Sequence, residues 1–375
     1  MRVLSVFGTR PEAIKMAPVV KALEQSVGVT SAVCVTGQHR SMLDQVLALF
    51  EIAPDVDLDL MSVGQSPTEV LSRVLEGIRP VLSSFDPDVV LVQGDTTTAM
   101  AAALGAAYHG AVVGHVEAGL RTWNKRQPFP EELNRLVVAS CADHHFAPTA
   151  GAAANLLREG HDAMSVSITG NTVIDALLHV ADLTLDLDSS DPLARLDERD
   201  IVLVTAHRRE NFGAPFEEAF GALAELAETF DDEIQLVYPV HPNPSVSAMA
   251  HRFFDAVDNV TLTEPLDYRR LVHVMQRSRL VITDSGGIQE EAPSLGKPVL
   301  VLREVTERPE AVEAGTVKLV GCNRHVILTE ATRLLTDDLE YADMAHRVNP
   351  YGDGKASDRI VAALTGSPIA DFQAA

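Results

Sequence analysis

The chain has 375 residues, 46% of them hydrophobic, enough for two separately cored domains. Its 30 basic and 53 acidic residues give a formal charge of −23, which argues against general binding to nucleic acid or a membrane surface, so any phosphate must be held by a local pocket. Cys34, Cys141 and Cys322 are far apart and odd in number, residues 1–8 are too short for a signal-peptide core, and no apolar run reaches membrane-spanning length; the expectation is a reduced, soluble, cytoplasmic protein.

Val3–Phe7 reads as a first strand, followed by the turn Gly8-Thr9-Arg10-Pro11 and a helix from about Pro11 to Gln25. Glycine before the helix and proline at its first position make a tight, phosphate-ready turn, with Arg10 and Lys15 as local positive charge. A strand near 31–35, a loop over 36–40 and a helix through Phe50 come next; residues 53–66 are turn-rich and acidic and read as a loop before the helix Pro67–Phe85. The apolar strand Asp88–Gln93 ends in Gly94-Asp95-Thr96, so Asp95 emerges at the edge where open α/β sheets place ligands, although capping the next helix would suit it equally. The strand 111–116 delivers Glu117 to the same edge. Glu131 follows, four residues before Arg135 and on the same helix face, where an exposed ion pair is the plain alternative. His144 and His145 fall in a strand, which points their rings to opposite faces and disfavours a metal site.

A strand at 165–169 leads through Gly170-Asn171 into a helix ending near Leu185, and the polar, acidic stretch 186–199 is the most linker-like in the chain. The alternation then restarts. The strand 201–205 opens onto His207, Arg208 and Arg209, a candidate anion clamp in which one arginine only solvates the surface. Strands near 234–237, 260–262, 280–283 and 299–302 alternate with helices. After the third of these, Thr283-Asp284-Ser285-Gly286-Gly287 turns into a helix carrying Glu290 and Glu291. The glycines allow close backbone approach, the helix start offers free N–H groups to a diphosphate, and the carboxylates suit ribose hydroxyls. Two series of βα units predict an α/β chain of two Rossmann-like, doubly wound parallel-sheet domains facing a cleft. The boundaries are placed at 1–170 and 171–354, with a C-terminal helix in about 355–375 packing back on the first domain and the last ten residues loose.

No Gly-x-Gly-x-x-Gly follows the first strand, and there is no Walker loop, zincin pair or nucleophile elbow. The expected cleft instead gathers Arg10, His207, Arg208, Ser285 and Gly286 as anion donors beside the carboxylates Asp95, Glu117 and Glu131. That set suits a phosphorylated sugar, one half holding a leaving pyrophosphate and the other moving protons.

The stretches Gly8-Thr9-Arg10-Pro11-Glu12-Ala13-Ile14-Lys15, Gln93-Gly94-Asp95-Thr96, His115 to Arg121, Pro130 to Arg135, Thr205 to Asn211 and Thr283 to Glu291 together resemble the non-hydrolysing UDP-N-acetylglucosamine 2-epimerases, over almost the whole chain. The resemblance implies the type-B glycosyltransferase fold, usually as a homodimer. It implies interconversion of UDP-N-acetylglucosamine and UDP-N-acetylmannosamine without NAD or metal. On that pattern Asp95 and Glu131 lead as acid/base candidates, with Glu117 as partner or charge stabiliser. His207, Arg10, Ser285, Gly286 and Gly287 would hold the diphosphate and Glu291 the ribose, with Lys15, Arg135, Arg208 and Arg308 also binding substrate. The family's Arg-Asp-Thr-Thr-Glu-Arg-Pro-Glu is here Arg303-Glu304-Val305-Thr306-Glu307-Arg308-Pro309-Glu310, which leaves Arg308 in place. Regulated members bind a second UDP-sugar in a region corresponding to Gln38, Ser41, Gly64 and His241; Ser41 and Gly64 replace longer polar side chains, so weakened or absent activation is expected. Alternatives are a hydrolysing 2-epimerase, a type-B glycosyltransferase and a non-catalytic nucleotide-sugar sensor.

Overall fold

The structure is a computed structural model and describes residues 1–37, 40–60 and 64–374. Seven parallel strands, β1 (Arg2–Phe7), β2 (Thr30–Val35), β3 (Val56–Asp57), β4 (Val89–Gln93), β5 (Val112–Val116), β6 (His144–Ala147) and β7 (Val166–Ile168), lie in the order β3-β2-β1-β4-β5-β6-β7. Runs such as Val89-Val90-Leu91-Val92 are buried along their whole length, as a parallel sheet covered on both faces requires. Leu4, Val6, Val90, Val92 and Val113 pack against Ala99, Ala102, Ala103 and Ala106 of the helix Thr97–His109. Alanines let that helix approach the sheet closely, and Gly110 ends it with φ of 89°. The acidic stretch expected to be only a loop supplies the two-residue edge strand β3, which is too short to show an alternating pattern.

Six further parallel strands, β8 (Asp200–Thr205), β9 (Ile234–Pro239), β10 (Val260–Thr263), β11 (Ser278–Thr283), β12 (Val299–Val301) and β13 (Val317–Leu319), form a second sheet in the order β10-β9-β8-β11-β12-β13. Its core is more aromatic: Phe216 stacks on Phe220 at 5.2 Å, and Phe220 also meets Tyr238 and Phe254. Each fully buried side chain of this size contributes about 1.5–3 kcal/mol.

The chain divides into one compact unit of residues 1–176 with 351–374 and another of residues 177–350. The first crossing lies inside the helix Thr172–Ala181, not at 170/171, and the return comes at 350/351. The stretch 186–199 is no free linker: Asp191, nearly buried, pairs with Arg270 at 2.5 Å, and Leu193 is in the core of a short 3-10 turn at Pro192–Arg195. The last ten residues are not all loose. Phe372 is buried, its N–H donates to Ile168 O at 2.7 Å, and Arg359 lies over its ring.

Candidate functional site

Each sheet reverses its winding once, between β1 and β4 in the first unit and between β8 and β11 in the second. The turns leaving these strand pairs carry most of the expected site residues, as the switch-point rule requires.

In the first unit Thr9 caps the helix Arg10–Gln25 in a capping box: its hydroxyl accepts from Glu12 N at 3.4 Å, and the Glu12 carboxylate accepts from Thr9 N at 2.7 Å and Gly8 N at 3.0 Å. The helix Thr97–His109 is capped by Thr96, whose hydroxyl accepts from Ala99 N at 2.9 Å and donates to Glu12 Oε1 at 2.5 Å. Asp95 is therefore not the cap. Its carboxylate accepts from Arg135 Nη2 at 2.6 Å, and its carbonyl from Asn134 Nδ2 at 2.8 Å. Next door, His115 Nε2 meets Gly94 O at 2.8 Å, and burial pushes the imidazole down to about 4, so this contact is a neutral ring donating its N–H.

Glu117 follows β5 with φ of 64°, an uncommon backbone for a glutamate. Lys15 Nζ sits 2.6 and 2.7 Å from its two oxygens, Asn171 Nδ2 donates at 3.0 Å, and the Gln93 amide donates as well. Glu131 opens the helix Glu131–Cys141, and its Oε2 is buried without a hydrogen-bond partner. It lines a cavity of about 240 Å³ together with Asp95, Thr96, Thr97 and Asn134. The ion pair of Glu131 with Arg135, the plain alternative to a site role, does not form. Arg135 turns instead to Asp95 and to Glu132 at 2.9 Å, because Glu132 is already anchored there by Thr122 N at 3.0 Å and Trp123 N at 2.9 Å. Burial works against the Glu132 charge, but those N–H groups and Arg135 outweigh it and hold the carboxyl below its ordinary range.

In the second unit Asp284 is fully buried just after β11, and its Oδ2 accepts from His207 N at 2.8 Å and Arg208 N at 2.7 Å. His207 Nδ1 lies 3.3 Å from Asp284 Oδ1, and the ring stacks on His241 with centroids 5.4 Å apart. Burial pushes the His207 imidazole down, opposed by Asp284 and reinforced by His241 and Arg208. The helix Gly286–Ser294 starts after Ser285, whose side chain makes no capping bond, so the first-turn N–H groups are left to other acceptors. A Cβ on Gly286 would stand 3.8 Å from Arg208 Nη2 and 3.9 Å from Arg308 Nη2, so two guanidinium groups flank this helix start. Arg308 Nε also pairs with Glu290, which takes Glu290 out of the expected ribose-binding pair of carboxylates. Glu291 remains: Tyr268 OH donates to its Oε1 at 2.7 Å, and its Oε2 lies 3.6 Å from where a Gly287 Cβ would be.

Thus the first unit gathers Arg10, Lys15, Asp95, Glu117, Glu131 and Arg135, and the second gathers His207, Arg208, Ser285, Gly286, Gly287, Glu291 and Arg308. Arg209 is the exposed arginine of the 207–209 set. Of the region proposed for a second UDP-sugar, Gln38 and the Ser41 side chain lie outside the described residues, Gly64 is exposed, and His241 adjoins His207. Among the described residues no group of His, Cys, Asp and Glu side chains is arranged to hold a metal ion, and no helix is long and apolar enough to cross a membrane. Sequence reasoning gave no role of their own to Glu12, Thr96, Gln93, Asn171, Tyr268 and Asp284, although Glu12, Gln93, Thr96 and Asp284 lie in the stretches that carry the resemblance; the Thr-x-x-Glu spacing of a capping box was a further signal at Glu12.

Two doubly wound parallel sheets with polar turns at both switch points define a protein of the type-B glycosyltransferase fold. The family model described as UDP-N-acetylglucosamine 2-epimerase matches residues 21–365. The chain belongs to this UDP-N-acetylglucosamine 2-epimerase family. A relative of that name from Yersinia pestis is 55% identical, covering 98% of this chain and 100% of the relative. Another, from Escherichia coli K12, is 54% identical over 98% and 100% of the two chains. The crystal structure of the UDP-GlcNAc 2-epimerase from Neisseria meningitidis, bound to UDP-GlcNAc, superposes with a TM-score of 0.87 at 48% identity, covering 98% of this chain and all of that one.

Proposed function

We propose that this protein reversibly converts UDP-N-acetylglucosamine into UDP-N-acetylmannosamine without hydrolysis, requiring neither NAD nor a metal, and works as a cytoplasmic homodimer. Family membership and the substrate bound to the Neisseria relative support the substrate class. The proton on C2 is not beside a carbonyl, so direct abstraction is hard. Breaking the bond from C1 to UDP first builds oxocarbenium character at C1 and acidifies C2. A base then takes the C2 proton, and the C–H pair becomes the C1–C2 double bond of 2-acetamidoglucal. Protonation of C2 on the other face and return of UDP oxygen to C1 complete the inversion.

The observation that carries this reading is the unequal state of the three carboxylates. Glu117 is saturated by Lys15, Asn171 and Gln93, which suits a fixed negative charge near developing positive charge. Glu131 keeps a buried oxygen without a partner in a cavity shared with Asp95, which suits proton transfer. In the second unit, Arg208, Arg308 and the helix start at Gly286 would hold the departing UDP, with Glu291 on the ribose. Incubation with UDP-N-acetylglucosamine in D2O, followed by NMR, tests the reading: deuterium should enter C2 of both epimers with no free sugar. Free N-acetylmannosamine as the main product would mean a hydrolysing enzyme, and no exchange at C2 would reduce the protein to a sensor or a glycosyltransferase.

A further inference from the structure

We propose that Glu12 is a positioning residue for the C2 chemistry, setting the spacing between the Arg10 turn and the Asp95 turn. The inference rests on the elimination reading above. β1 and β4 are hydrogen-bonded neighbours, in register from Val3 with Val89 to Val6 with Val92, so the turns that leave them stand side by side at the switch point. Glu12 is the side chain that joins them. One oxygen accepts from Gly8 N and Thr9 N in the first turn, and the other accepts from the Thr96 hydroxyl in the second. Arg10 lies between the two residues of its capping box, and Asp95 immediately precedes Thr96.

A capping box closes within its own helix, and its glutamate is ordinarily a surface residue. Here the carboxylate is 1% exposed and reaches a residue 84 positions away. Burial pushes its carboxyl above the ordinary range, a cost that capping one helix alone does not require. The Thr96 hydroxyl is committed on both sides, accepting from Ala99 N and donating to Glu12, so its rotor is fixed. Asp95 is then held at three points: by Asn134 on its carbonyl, by Arg135 on its carboxylate and by Thr96 as its neighbour in the chain. The packing beneath leaves no slack, since a Cβ on Gly8 would stand 2.0 Å from Thr36 Oγ1. Loss of the bridge should let the Asp95 turn drift relative to Arg10, and drift of about 1 Å at reacting groups costs on the order of 100-fold.

The test compares Glu12→Ala, Glu12→Gln, Thr96→Val and Thr96→Ser in the full chain. Thr96→Val removes the hydroxyl that Glu12 reaches, and with it the cap of the helix Thr97–His109, but leaves the Thr9 capping box intact, so kcat of its folded fraction decides the matter if Glu12→Ala does not fold. Glu12→Ala and Thr96→Val should lower kcat and C2 deuterium exchange by roughly 10- to 100-fold, and in Thr96→Val, which leaves the Arg10 turn capped, UDP affinity measured by calorimetry should stay within about twofold. Glu12→Gln and Thr96→Ser keep the reach and one polar link, and should recover most of the rate. A purely structural role would lower thermal stability and leave kcat of the folded fraction unchanged; that result, or equal losses in Thr96→Val and Thr96→Ser, overturns the proposal. Wild-type exchange is the control: its absence would remove the epimerase reading itself, whereas undiminished exchange in Glu12→Ala and Thr96→Val removes only the role of Glu12.

Discussion

The two units share a topology and furnish its switch point with different side chains. Each has a buried carboxylate tying together the turns at its switch point, Glu12 in the first and Asp284 in the second. Glu12 links two helix caps and leaves Asp95 to pair with Arg135, so that edge collects carboxylates, two of them matched by cations from the same unit. Asp284 takes the backbone N–H groups of His207 and Arg208, and the edge around Gly286 collects guanidinium groups and a helix start. On the proposed function, one scaffold serves proton transfer at one edge and anion binding at the other, and the difference lies in which side chains the turns carry.

Separating those two surfaces by mutation sharpens the contrast. The largest effect is expected from Glu131→Gln: loss of a proton-transfer group should lower kcat by about 10²- to 10⁴-fold, while UDP binding, read by calorimetry, is unchanged. A Glu131→Gln enzyme that loses UDP affinity as well would break the division of labour. Arg208→Ala should act the other way. A charge-assisted hydrogen bond is worth about 1.5–3 kcal/mol, so UDP should bind roughly 10- to 100-fold more weakly. The smallest effect concerns stability. Burial pushes His115 down to about 4 and His145 to about 3, against an ordinary value near 6.5. The unfolded chain therefore takes up protons first: stability is full above about pH 6.5 and declines as pH falls toward 4 for His115 and toward 3 for His145. Melting temperatures recorded from pH 7 to pH 5 should fall by a few degrees, and His145→Phe should flatten that decline.

The inner strands of both sheets were legible because residues such as Val89 to Val92 and Leu280 to Ile282 are apolar on both faces, a pattern that needs no tertiary information. The edge strands β3 and β13 were not legible, since two or three residues cannot show a period. Asp95, Glu117 and Glu131 were found because each follows a strand end or opens a helix at the ligand edge. Their partners were another matter. Local spacing favoured Glu131 with Arg135, and the contact that formed joins Arg135 to Asp95, 40 positions away, because Glu132 was already fixed by the Thr122 and Trp123 backbone. Composition marked 186–199 as a linker, but Asp191 and Leu193 are packed against their own unit, and the crossing lies within a regular helix that carries no such signature.

The route of the chain has a consequence for synthesis. Residues 351–374 belong to the unit begun by residue 1, where Phe372 hydrogen-bonds to Ile168 and Asp175 accepts from Ser357 N at 2.7 Å. On a ribosome that reads from the amino end, the half that emerges earliest is completed last, after all of residues 177–350 have appeared. A chain ending at residue 350 would contain every described residue of the second unit and lack the closing segment of the first.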